Sequence, residues 1–342
     1  MSNTNITSTG SGTDPVEYFL EDITYQGKSD RTRDAYQRVL RDFEEYLRSR
    51  ELVFEEANHR DCMAYIHQLR GDVAQSTVAT YASYLHRFYD YMMQVGTFED
   101  NPMALVVEEI DESINTDPAR RDISIEAMRS FVDGISHPLD AAVVFVLLKT
   151  GIRAGELCNL DLRDLHVPEM VVPDRHRPRL DGRPNSLYVD DTPAAGSVYN
   201  GERRTASNKR KRDTTVPVDG ELATVLDRWL AVRPNPVSEA DPLFVSTSDS
   251  WGERLTPDMV HHLIEKHARD HGWYRDGGGP EENVTPHYFR HFFTTHLRDR
   301  TGDRGVVKYL RGDVAQDVID TYTHDWGDRV RTVYEENIYH LD

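Results

Sequence analysis

Apolar residues recur at three- and four-residue steps through the first hundred positions, and this spacing commits that part of the chain to helices. Thr32, Tyr36, Leu40, Phe43 and Leu47 form one series, and Tyr81, Leu85, Phe88 and Met92 form another. Side chains at such steps share one face of a 3.6-residue turn and have to be buried together. Three to five helices between Pro15 and about Val95 would make a compact all-α unit. The pattern breaks at Asn101-Pro102, and the stretch from Glu108 to Arg121 carries an acidic run and a second proline, as a linker would. Beyond Asp122 the periodicity is mixed. Helices are expected at 124–134, 141–150, 155–160, 220–231, 257–271 and 286–298, and from 303 onward with breaks. Short strands are expected at 186–189 and 214–218, separated by a long loop. The expected fold class is therefore mainly α with a small β-sheet. It divides into a tail at 1–13, rich in Ser, Thr, Asn and Gly and read as disordered, a helical bundle at 14–100, a linker at 101–121, and an α+β domain at 122–342.

The chain has 342 residues, enough for two cores. Its formal charge is −19, and only six of its 40 basic residues are lysine. Acidic excess with little lysine fits a salt-rich cytoplasm, where such charge is screened within about 3 Å at 1 M salt. In dilute buffer the same charge repels itself. Net acidity does not exclude DNA as a partner, because binding follows local patches. One patch reverses the trend: six of the ten residues from 203 to 212 are basic, namely Arg203, Arg204, Lys209, Arg210, Lys211 and Arg212. Cys62 and Cys158 match no metal spacing and read as free thiols in a reducing compartment. The longest apolar stretch, 141–148, is far short of the roughly 20 residues a membrane helix needs. A cytoplasmic location with no membrane partner is expected.

One hexapeptide occurs twice. Arg70-Gly71-Asp72-Val73-Ala74-Gln75 returns as Arg311-Gly312-Asp313-Val314-Ala315-Gln316, with Tyr81 and Tyr322 at the same later offset. His67-Gln68-Leu69-Arg70 likewise echoes His287-Tyr288-Phe289-Arg290. Shared helix–turn–helix grammar explains the echo: glycine ends one helix, aspartate caps the next, and glutamine closes a capping-box-like pair.

Four groups have no such simple reading when taken together. They are Thr150-Gly151-Ile152-Arg153-Ala154-Gly155-Glu156-Leu157, the basic run around Lys209, the tetrad His287–Arg290, and Tyr322. Breaking a phosphodiester without a metal needs fixed cations on the non-bridging oxygens, and two planar arginine forks are suited to that. A tyrosine can be the nucleophile, but with a pKa of about 10 it needs a base or an electropositive site. The leaving 5′ oxygen needs a proton donor, for which a lysine on a mobile hairpin is suitable.

In these residues the chain resembles the tyrosine recombinase (phage integrase, Xer-like) family. That family carries T-G-[LI]-R-x-x-E-L, then a lysine ahead of a V-P-L-like strand, then H-x-x-R-H-x-x-x-T-x-L, then tyrosine. The matching segments here are Thr150–Leu157, Lys209 before Val216-Pro217-Val218, and His287 to Leu297, with Tyr322 standing 32 residues after Arg290. The resemblance covers the second domain. The first is compatible with the family's SAM-like core-binding domain, a helical DNA-binding unit.

The resemblance implies that Arg153 and Arg290 clamp the scissile phosphate, that His287 contacts it and accepts a proton, and that Lys209 is the acid. Tyr322 would attack to form a 3′-phosphotyrosyl link, with Glu156 holding Arg153. It further implies double-stranded DNA as partner, a homotetramer on two DNA sites, and no ATP, metal or other cofactor. Arg203, Arg204, Arg210 and Arg212 are the candidate DNA contacts. Lys211 shares a hairpin face with Lys209 and is the alternative acid. The family usually has histidine or tryptophan nine residues before the tyrosine, where this chain has Asp313. Either Arg311 or another residue compensates, or Asp313 is only a helix cap.

The alternatives are a catalytically impaired DNA-binding or architectural protein of the same fold, or a type IB-like topoisomerase or resolvase. His261, His262, His267, His271, His287 and His291 raise the question of a metal. No cysteine or carboxylate completes a ligand set, and no glutamate follows the first histidine of the i, i+4 pairs, so none is expected. Val330, Val333, Tyr334, Ile338 and Tyr339 line one face of the C-terminal tail and are expected to dock onto a neighbouring subunit.

Overall fold

The computed structural model describes residues 14–28, 30–112, 120–170, 177–313 and 326–341. The chain divides into two units, residues 1–117 and 118–342. Among the described residues no helix is long and apolar enough to cross a membrane.

The first unit is all helical, with α1 (Pro15–Tyr25), α2 (Asp30–Arg48), α3 (His59–Asp72), α4 (Gln75–Gln94) and α5 (Met103–Glu109). Local signals start these helices. Asp14 accepts from Val16 N at 2.9 Å ahead of Pro15, and Asn58 and Asp61 form a reciprocal capping box. The apolar steps seen in the sequence become one core of Leu40, Phe43, Leu47, Leu85, Phe88 and Met92, all at most 1% exposed. Edge-on aromatic pairs such as Phe19–Phe88 join α1 to α4. The segment read as linker opens with α5, whose Met103 and Val106 are fully buried in this core. Asn101 caps that turn, accepting from Met103 N at 3.0 Å.

The second unit is built around α7 (Pro138–Thr150), which is buried along its length apart from partly exposed Pro138, Asp140 and Ala141. Packed with it are α6 (Ile125–Asp133), α8 (Ala154–Cys158), α9 (Gly220–Val232), α10 (Pro257–Asp270), α11 (Pro286–Thr301), α12 (Arg304–Leu310) and α13 (Trp326–Asn337). A three-stranded antiparallel sheet has the order β1 (Leu165–His166), β2 (Ser186–Val189), β5 (Thr214–Pro217), with Leu187 opposite both Leu165 and Val216. The long loop expected between the two main strands contains a small hairpin, β3 (Val198–Tyr199) and β4 (Glu202–Arg203). Its turn is Asn200-Gly201, both at positive φ (51° and 78°), the pair that two-residue hairpins favour.

Two features of this unit had no counterpart in the sequence reading. Lys149 is fully buried on α7, bonded to Asp219 at 2.7 Å, to the Tyr339 carbonyl at 2.6 Å and to Glu221. The C-terminal segment closes over it. Val330, Tyr334, Ile338, Tyr339 and Leu341 are at most 4% exposed, Tyr334 donates to Lys149 O at 2.9 Å, and Leu341 N donates to Glu221 at 2.7 Å. The apolar face of the tail is thus used within its own domain, which corrects the expected docking onto a neighbour.

The hexapeptide echo also separates. In the first copy Gly71 and Asp72 are the last residues of α3, and Ala74, with no side-chain bond, stands as N-cap of α4. In the second, Gly312 adopts φ 68° after α12. The capping grammar therefore does not hold for the first copy, and Val314, Ala315, Gln316 and Tyr322 lie outside the described residues.

Candidate active site

The site begins at the end of α7. Gly151 takes φ 63° there, and a Cβ on it would lie 2.2 Å from Phe293 Cδ1 of α11. Only glycine allows both the left-handed turn and that approach. The turn delivers Arg153 to the N-cap of α8, where Glu156 accepts from Arg153 N at 2.9 Å and from Arg153 Nη1 at 3.0 Å. Gly155 serves close packing as well: a Cβ there would sit 3.3 Å from Ser207 O in the basic loop.

Arg290 comes from α11, one helical step from His287. It is 2% exposed, and its Nη1 donates to Gly151 O at 2.7 Å while Nη2 donates to Arg311 O at 3.1 Å. Residues 153 and 290 meet at one atom. Asp313 Oδ1 lies 3.1 Å from Arg153 Nη2 and 2.8 Å from Arg290 Nη2, while Oδ2 lies 2.9 Å from Arg311 Nε. The Asp313 side chain, considered from sequence as a helix cap, stands among three guanidinium groups.

Fully buried Glu156 is the second anion of the cluster, and Arg210 lies against it at 3.3 Å. Arg210 Nη2 also donates to Leu310 O at 3.2 Å. Four guanidinium groups therefore surround two carboxylates, a local positive excess inside an acidic protein. Burial, followed by the charges of Arg153 and Arg311, pulls the Arg290 pKa down to about 9, so the group still carries its charge at neutral pH. Arg311 is lowered by burial and Arg153, and Arg210 chiefly by burial. His287 is lowered from its usual 6.5 by the protein packed around it, then by Arg120, Arg290, Arg311 and Arg153. Cations thus crowd a histidine and one another around the Asp313 and Glu156 carboxylates.

The basic loop is held to this cluster by buried polar anchors. Asn208 accepts from Asn159 Nδ2 at 2.8 Å and donates to Asp190 O at 2.8 Å, and Lys211 N donates to Gly312 O at 3.1 Å. Lys209 is exposed between buried Asn208 and buried Arg210, and Lys211 is exposed on the same alternation.

Two of the four arginines expected to meet DNA are corrected. Arg204 is 1% exposed and paired with Asp161 at 2.9 Å, and Arg210 is turned inward onto Glu156. Both anchor the loop, Arg204 on Asp161 and Arg210 on Glu156. Arg203 is exposed, and half-buried Arg212 lies 5.0 Å over the Tyr309 ring. The anchors Asn159, Asp161 and Arg254, which bonds Asp161 at 2.6 Å, were not foreseen. They bear no motif, and only the asparagine that opens the basic run hinted at a fixed loop. Tyr322 lies outside the described residues. His267 pairs with Asp140 at 2.8 Å, and the His271 ring sits 4.4 Å from that of Trp273, so these two are occupied structurally.

Comparison with known proteins agrees with this architecture. The model of the phage integrase N-terminal SAM-like domain matches residues 16–96, and that of the phage integrase family matches residues 193–327. The second match begins after Arg153, so the place of that arginine in the site rests on the geometry above. Tyrosine recombinase XerD of Shewanella oneidensis is 24% identical over 94% of this chain and 95% of its own length. XerC of Alcanivorax borkumensis is 27% identical over 72% and 68%. Among solved structures, the Tn1549 transposon integrase in complex with a circular intermediate DNA superposes with a TM-score of 0.65 at 17% identity, covering 94% of this chain and 98% of that one. A lambda integrase tetramer bound to a Holliday junction gives 0.62 at 14%, covering 88% and 76%. With both units matched in order and the fold shared along nearly the whole length, the chain belongs to the tyrosine recombinase, or phage integrase, family.

Proposed function

We propose that this protein is a site-specific DNA recombinase that cuts and rejoins strands through a 3′-phosphotyrosyl intermediate. The observation that carries this reading is the convergence of Arg153 and Arg290, 137 positions apart in sequence, on a single anionic oxygen. In the proposed reaction the Tyr322 oxygen attacks phosphorus and the bond to the 5′ oxygen breaks. Neutral His287 takes the phenol proton and Lys209 supplies one to the departing oxygen. Arg153 and Arg290 hold the non-bridging oxygens, where negative charge grows. The free 5′ hydroxyl of a partner strand then reverses the step, so bond energy is conserved and neither ATP nor a metal enters. The working form would be a homotetramer on two duplex sites. Acidic composition and scarce lysine favour a salt-rich cytoplasm as its setting.

The test is incubation with nicked target DNA in molar potassium salt, followed by detergent. The wild type should leave a covalent protein–DNA adduct and Tyr322→Phe none. Binding without any adduct would instead support the architectural reading, which Asp313 at the usual histidine or tryptophan position keeps in play. Relaxation of a supercoiled circle without paired sites would support a topoisomerase.

The depressed His287 pKa predicts a pH profile. Its lowered value means the imidazole is neutral above pH 6.5, available as acceptor, and becomes charged only as pH falls below that. Its contribution to stability has the same sign, present above 6.5 and lost as pH falls through the lower folded value. Second-order adduct formation, which reports the free enzyme, should be level above pH 6.5 and decline below it. An inflection above 6.5 that His287→Gln removes would contradict the assignment.

A further inference from the structure

We propose that Asp313 is a built-in stand-in for the scissile phosphate, which keeps free anions out of the arginine clamp and yields only to a phosphate that is part of a longer DNA. The inference rests on the phosphate-clamp reading of the site and goes beyond it to the question of which anions the clamp accepts.

The contacts are those of a bound oxyanion. One carboxylate oxygen bridges Arg153 and Arg290 at 3.1 and 2.8 Å, and the other meets Arg311 at 2.9 Å. The backbone sets it there. Asp313 N donates to Lys308 O at 3.0 Å, Gly312 N donates to Tyr309 O at 2.8 Å, and Gly312 O receives Lys211 N at 3.1 Å. Gly312 is required by its φ of 68° and because a Cβ would lie 2.7 Å from Arg210 Nη1.

Neither clamp arginine depends on Asp313 for its own position. Arg153 keeps Glu156, and Arg290 keeps the Gly151 and Arg311 carbonyls. The aspartate is also the most exposed anion of the cluster, its side chain 27% accessible against 0% for Glu156. It therefore has a path into solvent that Glu156 lacks. Once it leaves, four guanidinium groups face one buried carboxylate, and an incoming phosphate meets a stronger field than the resting site displays.

A tethered carboxylate competes as an intramolecular ligand, at an effective concentration on the order of millimolar or more. Chloride, sulfate or inorganic phosphate has only the clamp to hold it and loses that competition. A phosphate within a duplex is positioned by many other contacts and wins it. The arrangement suits a site that must work where free anions are abundant.

The experiment is calorimetric titration of the full chain with sodium sulfate at constant ionic strength, with tryptophan-detected thermal unfolding alongside. Asp313→Asn should bind sulfate at least about tenfold more tightly than the wild type and gain unfolding midpoint when sulfate is added. Asp313→Glu, which keeps the charge, should resemble the wild type. Asp313→Ser carries the same expectation as the asparagine variant and covers failure of that variant to fold. Adding Arg153→Gln to Asp313→Asn should abolish the gain. Sulfate affinity unchanged by Asp313→Asn and Asp313→Ser, or a gain that survives Arg153→Gln, overturns the proposal. The adduct assay is independent: an adduct without the sulfate effect removes only the stand-in, and the sulfate effect without an adduct removes only the recombinase reading.

Discussion

Arg153→Ala is expected to slow covalent adduct formation by about 10²–10³-fold while leaving the fold nearly intact. The Arg153 side chain is 31% exposed and stands at the edge of the cluster, so its loss opens no core cavity. Glu156 keeps Arg210 as a partner, and Asp313 keeps Arg290 and Arg311. What disappears is one of the two forks that bind the non-bridging oxygens, where charge develops in the transition state. Arg153→Lys should recover little, because one ammonium cannot span Glu156 and the phosphate as a planar fork does. Arg290→Ala is a useful contrast. That residue is 2% exposed and ties Gly151 at the end of α7 to Arg311 after α12, so its removal should cost stability as well as rate. Adduct rate at saturating protein, read beside the unfolding midpoint, separates the two effects. A rate for Arg153→Ala within about tenfold of wild type would take this residue out of the clamp.

These differences between neighbouring arginines mark the limit of the sequence reading. Periodicity and turn chemistry act locally, so they placed the helices of the second unit and the β2 and β5 strands closely, whereas in the first unit they set only the number of helices and α5 fell in the stretch read as linker. Asn200-Gly201 carries an equally local hairpin signal, and the structure forms β3 and β4 around it within the long loop expected from the sequence. The roles of Arg203, Arg204, Arg210 and Arg212 were opaque for a different reason. Whether an arginine in a basic run faces solvent or a buried carboxylate depends on residues some fifty positions away, Asp161 for Arg204 and Glu156 for Arg210. Composition registers both kinds as positive charge. Lys149 shows the same limit in reverse, since its partners Asp219 and Glu221 lie seventy positions downstream. Asp313 was visible as a departure from the family pattern, but its three arginine contacts are purely tertiary.

Glu156→Ala is expected to destabilise the second unit by about 3–5 kcal/mol, the cost of leaving a buried charge without its counter-ion. Glu156 is completely buried and faces two guanidinium groups. One of them, Arg153, has solvent and Asp313 to turn to. Arg210 does not: its side chain is inaccessible, and among the described residues the acceptor left to it without Glu156 is the Leu310 carbonyl. The penalty should therefore come mainly from Arg210, and this has a specific consequence. Removing that charge too, in Glu156→Ala/Arg210→Met, should restore much of the lost stability, so that the double variant is more stable than the single one. All four tryptophans of the chain, Trp229, Trp251, Trp273 and Trp326, belong to the second unit, so denaturant unfolding followed by their fluorescence reports on that unit alone. A double variant no more stable than Glu156→Ala would mean that the lost stability lies with Arg153 and the start of α8. Recovery of stability without recovery of the adduct would separate the two duties of Glu156, as counter-ion to the basic loop and as the support that aims Arg153.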